Sequence, residues 1–317
     1  MRGRDGRLSG SIRLELAQAK VNLGLKVLGR RHDGYHLIEG LFVPIDLADE
    51  VRVEIAASPE PRVSLECAVA PDADGVRGFP SGTNNLAFRA AEAFLRASGE
   101  SVAVSLRLIK RVPVAAGLGG GSSDAGAVLR ALDSLIPGAL GRRHLARLAL
   151  ELGADVPFFL VSRPAWVEGI GERVTPIGGL PKLSLVLANP GEALSTGSVF
   201  EAWDALSPTL TATRPGSTLR SLSDWMALDP ENSTARSAGL GGLLCNDLEK
   251  AARQICPAIG GIQGQLLELG AQAVGMSGSG ATSFGVFEAP SEANSAIERL
   301  ALRGEGWARL AGTLSDG

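Results

Sequence analysis

A glycine-rich segment at residues 113–124 has the clearest potential for chemistry. It reads PVAAGLGGGSSD and lies between a predicted strand that ends near Ile109 and a predicted helix that begins near Ser122. Glycines let backbone N–H groups approach an anion closely, and the start of a helix adds unpaired donors and a partial positive charge. The segment therefore predicts a loop that binds phosphate groups.

Two common phosphate-binding motifs are excluded for this segment. No Gly-Lys-Ser/Thr follows the glycines, as a P-loop requires, and the spacing does not give the dinucleotide fingerprint with a downstream acidic residue. A flexible connection from strand to helix is the alternative interpretation. The segment is therefore either a phosphate loop of another type or a plain connection.

Lys20 and Asp155 have the side chains that phosphoryl transfer to an alcohol needs. The reaction requires a group that accepts the hydroxyl proton, and a cation or donor that spreads the charge on the phosphoryl group. Asp155 follows a predicted helix and precedes an apolar run, and Lys20 follows a slip in apolar alternation that predicts a β-bulge. From the residues alone, a surface lysine and an aspartate in a turn are equally good interpretations.

The elements that must position these residues are predicted from the spacing of apolar residues. Asn85 and Ser122 are the predicted capping residues of the first two helices, and residues 207–242 are predicted to be an irregular insertion. Both halves of the chain indicate an α+β protein. Strands are predicted at residues 14–27, 51–56, 63–69, 102–109 and 183–188, and helices at residues 85–97, 122–135, 142–152, 247–255, 262–269 and 292–302.

The composition favours a cytoplasmic enzyme over a membrane protein or a nucleic-acid-binding protein. No run approaches the roughly 18 apolar residues of a membrane span. The net charge is -3 and aromatic residues make up 4% of the 317 residues, so a polyanion finds neither general attraction nor many stacking platforms. Three widely separated cysteines support neither a disulfide framework nor a paired zinc site, which indicates a reducing compartment.

Seven segments together resemble the GHMP kinase superfamily, and within it the kinases whose acceptor carries a cytidine diphosphate group. The glycine-rich segment is similar to the second motif of the superfamily. The other segments are Ala19-Lys-Val-Asn-Leu, Gly29-Arg-Arg-His-Asp-Gly-Tyr-His, Gly153-Ala-Asp-Val-Pro-Phe-Phe, Glu168-Gly-Ile-Gly-Glu, Asn246-Asp-Leu-Glu and Met276-Ser-Gly-Ser-Gly. None is specific alone, but together they span nearly the whole chain.

The resemblance implies an α+β protein with the two-domain GHMP kinase fold and an active site in the cleft between the domains. An N-terminal ATP-binding domain, similar to ribosomal protein S5 domain 2, is expected over residues 1–178, and a ferredoxin-like C-terminal α/β domain over residues 179–317. The implied reaction uses ATP and Mg²⁺ to phosphorylate the 2-hydroxyl of 4-diphosphocytidyl-2-C-methyl-D-erythritol, in the non-mevalonate pathway to isoprenoid precursors. The Mg²⁺ ligands stay unknown, and monomer and homodimer are both open.

The resemblance also implies a role for each candidate site residue. Asp155 acts as the base, and Lys20 is its partner. Tyr35 and His36 hold the cytosine base, and Phe200 faces Tyr35 across it. The ATP-binding residues are Pro113, Ala115, Gly117, Leu118, Gly119, Gly120, Gly121, Ser122 and Ser123. The substrate-binding residues are Asn22, Tyr35, His36, Asp155, Thr196 and Phe200.

Three other functions stay open from the sequence. Another GHMP-type kinase, acting on homoserine or mevalonate, would share the glycine-rich segment but would not use Tyr35 and His36. A non-enzymatic nucleotide-binding or sensor protein would have no need for Lys20 and Asp155 together. An RNA-binding protein is the third alternative, because the N-terminal domain of these kinases shares a fold with ribosomal proteins, but the mild acidity opposes it.

Overall fold

A computed structural model describes residues 10–206, 217–228, 239–300, 302 and 306–315. The chain divides into two compact units, each built from separate segments of the sequence. The first unit comprises Met1–Ala19, Leu47–Val114 and Gly119–Ser162. The second unit comprises Lys20–Asp46, Ala115–Leu118 and Arg163–Gly317. Because two long strands and the glycine-rich segment contribute to both units, the units alternate along the sequence.

The sheet of the first unit is built on the two long strands, β1 (Ser11–Arg30) and β2 (His36–Ala57). The second half of β2 pairs antiparallel with β4 (Val102–Lys110). β4 in turn pairs in parallel with β3 (Arg62–Val69). Alternate residues of β4 are buried, as expected for a strand with one face toward a core.

Four helices complete the first unit. The buried residues of the first helix recur at three- and four-residue spacing, from Ala87 to Leu95, so that one face packs into the core. This core also contains Val53 and Ile55 of β2 and Phe94 of the first helix. The helices are α1 (Leu86–Ser98), α2 (Gly120–Leu135), α3 (Arg142–Leu152) and α4 (Val156–Val161).

The second unit contains two groups of strands. The first half of β2 pairs antiparallel with β5 (Ala165–Gly169), which pairs antiparallel with β6 (Arg173–Pro176). A separate four-stranded sheet has the order β10-β7-β9-β8, and every neighbouring pair in it is antiparallel. Its strands are β7 (Ser184–Asn189), β8 (Ala273–Met276), β9 (Ser283–Phe287) and β10 (Trp307–Gly312).

The helices of the second unit pack on this four-stranded sheet in a recognisable order. α8 packs against β8 and β9, and α9 packs against β7 and β10. Counted from β7, the strand order is 4-1-3-2, which is the ferredoxin-like arrangement, so the predictions of an α+β class and a ferredoxin-like C-terminal sheet are confirmed. The helices are α5 (Thr196–Leu206), α6 (Ser217–Met226), α7 (Glu249–Ile255), α8 (Ala258–Glu268) and α9 (Pro290–Arg299). None of the described helices has the length and apolar character to cross a membrane.

One of the two predicted helix caps is confirmed. The Asn85 side chain accepts a hydrogen bond of 2.9 Å from the Ala87 N–H at the start of α1. The predicted cap at Ser122 is wrong, because α2 begins at Gly120 and its N-cap is Gly119, with φ +73°. A glycine takes this left-handed conformation without steric cost, which lets the helix start earlier than the polar residues indicate.

Several predicted elements have different bounds in the structure. The strand predicted at 51–56 is only the end of β2, which begins at His36. From Glu39 to Ile45 this strand is buried on both faces, so that apolar alternation is absent there. The last helix ends at Arg299, short of the predicted residue 302. Within the predicted insertion, residues 207–216 and 229–238 lie outside the described residues, and Ser217–Met226 forms helix α6, so the irregular structure predicted there is wrong.

Candidate active site

The glycine-rich segment contains a position that tolerates only glycine. Gly117 has φ +76°, and a Cβ built on it would lie 2.1 Å from the backbone oxygen of Ser277, in the same unit. No side chain fits at that distance. The close approach of two backbones is therefore the physical reason for this glycine, and Ala115, with φ +52°, adds a second left-handed residue nearby.

The start of α2 offers free backbone donors to an anion. The first helical hydrogen bond runs from the Ser123 N–H to the Gly119 oxygen, at 2.9 Å, so the preceding N–H groups have no acceptor within the helix. A Cβ on Gly121 would meet no atom of the described residues within 4 Å. This end of α2 has both the donors and the space that a phosphate group requires.

The two serines of the loop differ in their environment. Ser123 is buried, and its hydroxyl donates to the Gln18 backbone oxygen at 2.6 Å, which ties α2 to β1 in the first unit. Ser122 is half-buried, and its Oγ lies 3.9 Å from a Cβ built on Gly153. Ser123 therefore has a structural role, and the turn before Asp155 lies beside the first turn of α2.

Asp155 lies in that turn, immediately before α4. The turn is closed by a hydrogen bond of 3.1 Å from the Val156 N–H to the Gly153 oxygen. The half-buried Asp155 side chain accepts no capping hydrogen bond from α4. The carboxylate is therefore not used to begin the helix that follows it.

Lys20 is 3% exposed and is held against the glycine-rich segment in the second unit. Its Nζ donates to the Gly117 backbone oxygen at 2.8 Å and to Asn22 Oδ1 at 2.6 Å. Its backbone N–H donates to the Leu118 oxygen at 3.0 Å, and its Nζ lies 5.4 Å from the centre of the Phe42 ring. Lys20 and Asn22, both named as site residues from the sequence, are therefore joined by a direct hydrogen bond between buried side chains.

Asn22 retains an unused donor in this cluster. Its Nδ2 is buried and, among the described residues, has no hydrogen-bond partner. Leaving a buried donor unsatisfied is unfavourable, so such a group usually marks a place where a ligand or water binds. The Asn22 amide is thus suited to donate to an oxygen of a bound molecule.

The turn at residues 277–280 is attached to the glycine-rich segment. Ser277 Oγ donates to the Gly117 oxygen at 2.9 Å, so this one oxygen accepts from both Ser277 and Lys20. Asn246 Nδ2 donates to the backbone oxygens of Met276 and Gly278, each at 2.8 Å. The sequence motif at Asn246 is therefore explained by its side chain, whose amide group holds the turn in place.

Thr196 and the predicted cytosine-binding residues lie in the second unit. Thr196 Oγ1 is 3.0 Å from Ser279 Oγ in the same turn. The His36 ring stacks on Phe200 with a centroid separation of 4.5 Å and an interplanar angle of 19°. Tyr35 is 57% exposed at the end of its turn. The structure thus brings His36 and Phe200 together, while the facing of Phe200 and Tyr35 across a base stays a prediction.

A buried cluster of charged residues next to the start of α2, in the first unit, was not predicted from the sequence. Lys110, 3% exposed, donates to Asp49 Oδ2 and, at 2.7 Å, to Asp124 Oδ2. Asp49 Oδ1 also accepts from the N–H groups of Arg111 and Val112, whereas Asp124 Oδ1 has no partner among the described residues. We therefore assign the ion pair to Lys110 and Asp49.

The environment of Asp124 favours its protonated form. Burial raises the pKa of Asp124 well above its usual value; the Lys110 ammonium lowers it and the Asp49 charge raises it again, and the net direction is upward. Burial lowers the pKa of Lys110, but the acidic side chains of Asp124 and Asp49 more than offset this, and the net direction is upward. The only sequence signal for the cluster is an Asp directly after the loop serines and a Lys at the end of an apolar strand.

The chain matches known kinases along nearly its whole length. Residues 85–163 match the family GHMP kinases N terminal domain, and residues 231–306 match the family GHMP kinases C terminal. A 4-diphosphocytidyl-2-C-methyl-D-erythritol kinase of Citrifermentans bemidjiense is 40% identical over 296 residues, which is 92% of this chain and 95% of that protein. The corresponding protein of Deinococcus radiodurans is 39% identical over 292 residues, or 92% of this chain and 89% of that one.

One solved structure gives the same assignment, and a second gives the same fold. The crystal structure of a 4-(cytidine 5'-diphospho)-2C-methyl-D-erythritol kinase has a TM-score of 0.70 and 39% identity, and the match covers 96% of this chain and 100% of that chain. A more distant match is the crystal structure of L. major mevalonate kinase in complex with R-mevalonate, with a TM-score of 0.69 and 15% identity over 97% of each chain, which is a likeness of fold alone. The predicted GHMP kinase fold is confirmed. With this fold and these relatives, the chain is a small-molecule kinase that belongs to the 4-diphosphocytidyl-2-C-methyl-D-erythritol kinase family.

Proposed function

We propose that the protein transfers the γ-phosphoryl group of ATP to the 2-hydroxyl of 4-diphosphocytidyl-2-C-methyl-D-erythritol, giving the 2-phosphate and ADP. The relatives with this name at about 40% identity over most of the chain support the substrate. We propose residues 1–178 as the ATP-binding domain and residues 179–317 as the C-terminal domain. The reaction belongs to the cytoplasmic, non-mevalonate route to isoprenoid precursors.

ATP fits the glycine-rich segment through its phosphate groups. The free N–H groups at the start of α2 and the open space beside Gly121 suit an anion. We assign this binding to Pro113, Ala115 and residues 117–123. Ser122 has the hydroxyl that would reach a phosphate, and Ser123, whose hydroxyl donates to Gln18, supports the loop. The adenine contacts are left unassigned.

Mg²⁺ would be held mainly by the nucleotide. This ion commonly keeps several waters and binds one or two protein oxygens together with substrate phosphates. Across the described residues, no group of three or more His, Cys, Asp and Glu side chains is placed to bind a metal. The Ser122 hydroxyl fits as a single protein oxygen, and the bound ion would neutralise phosphate charge.

Asp155 and Lys20 take the two catalytic roles. Asp155 accepts the proton of the attacking 2-hydroxyl, which a carboxylate that does not cap its helix is able to do. The Lys20 ammonium stabilises negative charge that develops during transfer. Its hydrogen bond to the Gly117 oxygen fixes that charge at the phosphate loop, and this is the observation that carries the proposal.

The cytidine end of the substrate is assigned to aromatic residues of the second unit. We propose that Tyr35 and Phe200 stack on the cytosine and that His36 hydrogen-bonds to it. The unused Nδ2 of Asn22 is suited to an oxygen of the methylerythritol part. Thr196, next to Ser279, is also suited to the methylerythritol part of the substrate.

The test is an acceptor panel with ADP release as the measured quantity. Purified protein with Mg·ATP should release ADP with 4-diphosphocytidyl-2-C-methyl-D-erythritol but not with homoserine or mevalonate. Asp155→Asn should lower kcat by about 100- to 10,000-fold, the usual size of a general-base contribution. Tyr35→Ala should raise KM for the cytidyl substrate and leave KM for ATP unchanged.

Matched controls separate these roles from general damage. Asp133→Asn changes a half-buried carboxylate of α2, in the same unit as Asp155, and should retain wild-type turnover. Turnover with homoserine or mevalonate alone would keep a kinase and remove the cytidine assignment. Tight ATP binding without turnover on any acceptor would favour a sensor protein.

A further inference from the structure

Helix α5 directs three side chains at His36. Phe200, Trp203 and Asp204 are spaced three and four residues apart, so they lie on one face of the helix. Phe200 stacks on the imidazole, and Trp203 contacts its edge with a centroid separation of 5.7 Å. The His36 side chain is 9% exposed and is thus held on two sides by aromatic rings.

Asp204 connects this helix to both ends of the turn that carries Tyr35. Its Oδ1 is 2.8 Å from His36 Nε2, and its Oδ2 accepts from Arg30 Nη1 at 3.1 Å. Arg30 Nε donates to the Gly34 backbone oxygen, also at 3.1 Å. One carboxylate therefore fixes the residue after Tyr35 directly and the residue before it through Arg30.

The same contact selects the tautomer of a neutral His36. An ionised carboxylate only accepts hydrogen bonds, so Nε2 must carry the hydrogen that Asp204 accepts. In a neutral imidazole the other nitrogen is then an acceptor. His36 Nδ1 is thereby prepared to accept a hydrogen bond from an amino group.

We propose that Asp204 is a positioning residue that sets the preference for cytosine over uracil. Cytosine carries an amino donor where uracil carries a carbonyl acceptor, so an acceptor at His36 Nδ1 pairs with the first and repels the second. The inference rests on the proposed function, because it assumes that this aromatic cluster binds the base of the substrate. Asp204 itself acts only through His36 and Arg30.

If Asp204 had a merely structural role, its loss would change stability more than base recognition. Asp204 and Arg30 have side chains 28% and 54% exposed, and ion pairs with this exposure contribute little to stability. Loss of Asp204 should therefore change base recognition much more than the unfolding temperature. KM for the cytidyl substrate should rise while kcat and KM for ATP stay near their wild-type values.

The experiment compares CDP and UDP binding by calorimetry in wild type, Asp204→Ala, Asp204→Asn and Glu201→Gln, with kcat and KM measured in parallel. Wild type should prefer CDP, and Asp204→Ala should weaken CDP binding about tenfold, the equivalent of one lost hydrogen bond, with UDP little changed. Asp204→Asn keeps the size of the side chain and should fall between the two. Glu201→Gln changes an exposed carboxylate of α5 and should match wild type.

An unchanged CDP-to-UDP ratio in both Asp204 variants would overturn the inference, as would a wild type that binds the two nucleotides equally. If Asp204→Ala does not fold, Asp204→Asn alone decides by the same ratio. Because binding is measured without turnover, failure of the proposed function is distinguishable from failure of this inference. Wild type would then prefer CDP but release no ADP with the cytidyl acceptor.

Discussion

Two lysines, Lys20 and Lys110, are equally buried but have different kinds of partners. Each is 3% exposed. Lys20 donates to an amide oxygen and a backbone oxygen, whereas Lys110 donates to the Asp49 carboxylate and to the side chain of Asp124. Neutral acceptors orient an ammonium group, while a carboxylate also cancels its charge. Burial alone therefore does not separate a lysine suited to catalysis from one suited to structure.

Both lysines lie next to the glycine-rich segment, each within its own unit. Lys20 Nζ is bonded to the Gly117 oxygen, and Lys110 Nζ lies 3.7 Å from a Cβ built on Gly120. Lys110 therefore lies against the start of α2, and its positive charge is balanced by the Asp49 carboxylate. We expect substitution of Lys110 to lower mainly the free energy of unfolding and substitution of Lys20 to lower mainly turnover.

The largest expected effect is the loss of stability in Lys110→Met. Removing the ammonium leaves the buried Asp49 carboxylate without its cation, which costs about 3–5 kcal/mol in comparable buried pairs. Denaturant unfolding should show this loss, and Lys250→Met, at an exposed lysine of α7, should show almost none. Adding Asp49→Asn to Lys110→Met should recover part of it. A stable Lys110→Met would contradict the structural role.

The next effect is the loss of turnover in Lys20→Met. The variant keeps much of the apolar stem but removes the charge proposed to stabilise transfer, so kcat should fall about 100- to 1,000-fold. The free energy of unfolding should fall less than in Lys110→Met. Equal destabilisation of the two variants, or turnover near the wild-type value for Lys20→Met, would remove the distinction between the lysines.

A smaller effect is expected in the pH dependence of stability at Asp124. Its pKa is raised in the folded protein, so the folded state keeps this proton to a higher pH than the unfolded chain does. The free energy of unfolding should therefore fall as pH rises from about 4 through the folded-state pKa, by at most about 1.4 kcal/mol per pH unit. Asp124→Asn cannot ionise and should flatten this decline. The slope is measured by urea unfolding from pH 4 to 9, with Asp133→Asn as the control.

Local sequence patterns predicted the elements better than the contacts between them. The cap at Asn85 is a property of a few adjacent residues and was predicted correctly. The predicted start of α2 was wrong because the spacing of apolar residues does not indicate that Gly119 is left-handed. Leu14 and Leu16 are apolar residues of the strand predicted at 14–27, yet they are 71% and 58% exposed, since a strand pattern does not reveal which face is covered.

The residues of the site were predicted from short motifs, but the charged residues that support them were not predicted. The glycine-rich segment and Lys20 are recognisable in short stretches of sequence. Asp204 contacts His36 across 168 positions and Asp49 contacts Lys110 across 61, so no periodicity in one sequence pairs them. Charge partners that support a site are in this sense a property of topology, and only the three-dimensional structure identifies them.

The smallest effect tests how much the Gly117 oxygen depends on each of its two donors. Ser277→Ala removes one hydrogen bond to that oxygen and leaves the one from Lys20, so the loop keeps its position with a loss of about 0.5–1.5 kcal/mol. KM for ATP should rise about two- to tenfold with kcat almost unchanged, and Ser198→Ala, at an exposed serine of α5, should match wild type. A fall in kcat as large as that of Lys20→Met would mean that Ser277, and not the lysine charge alone, organises the transfer. In that case the charge of Lys20 alone would not explain the function of this cluster.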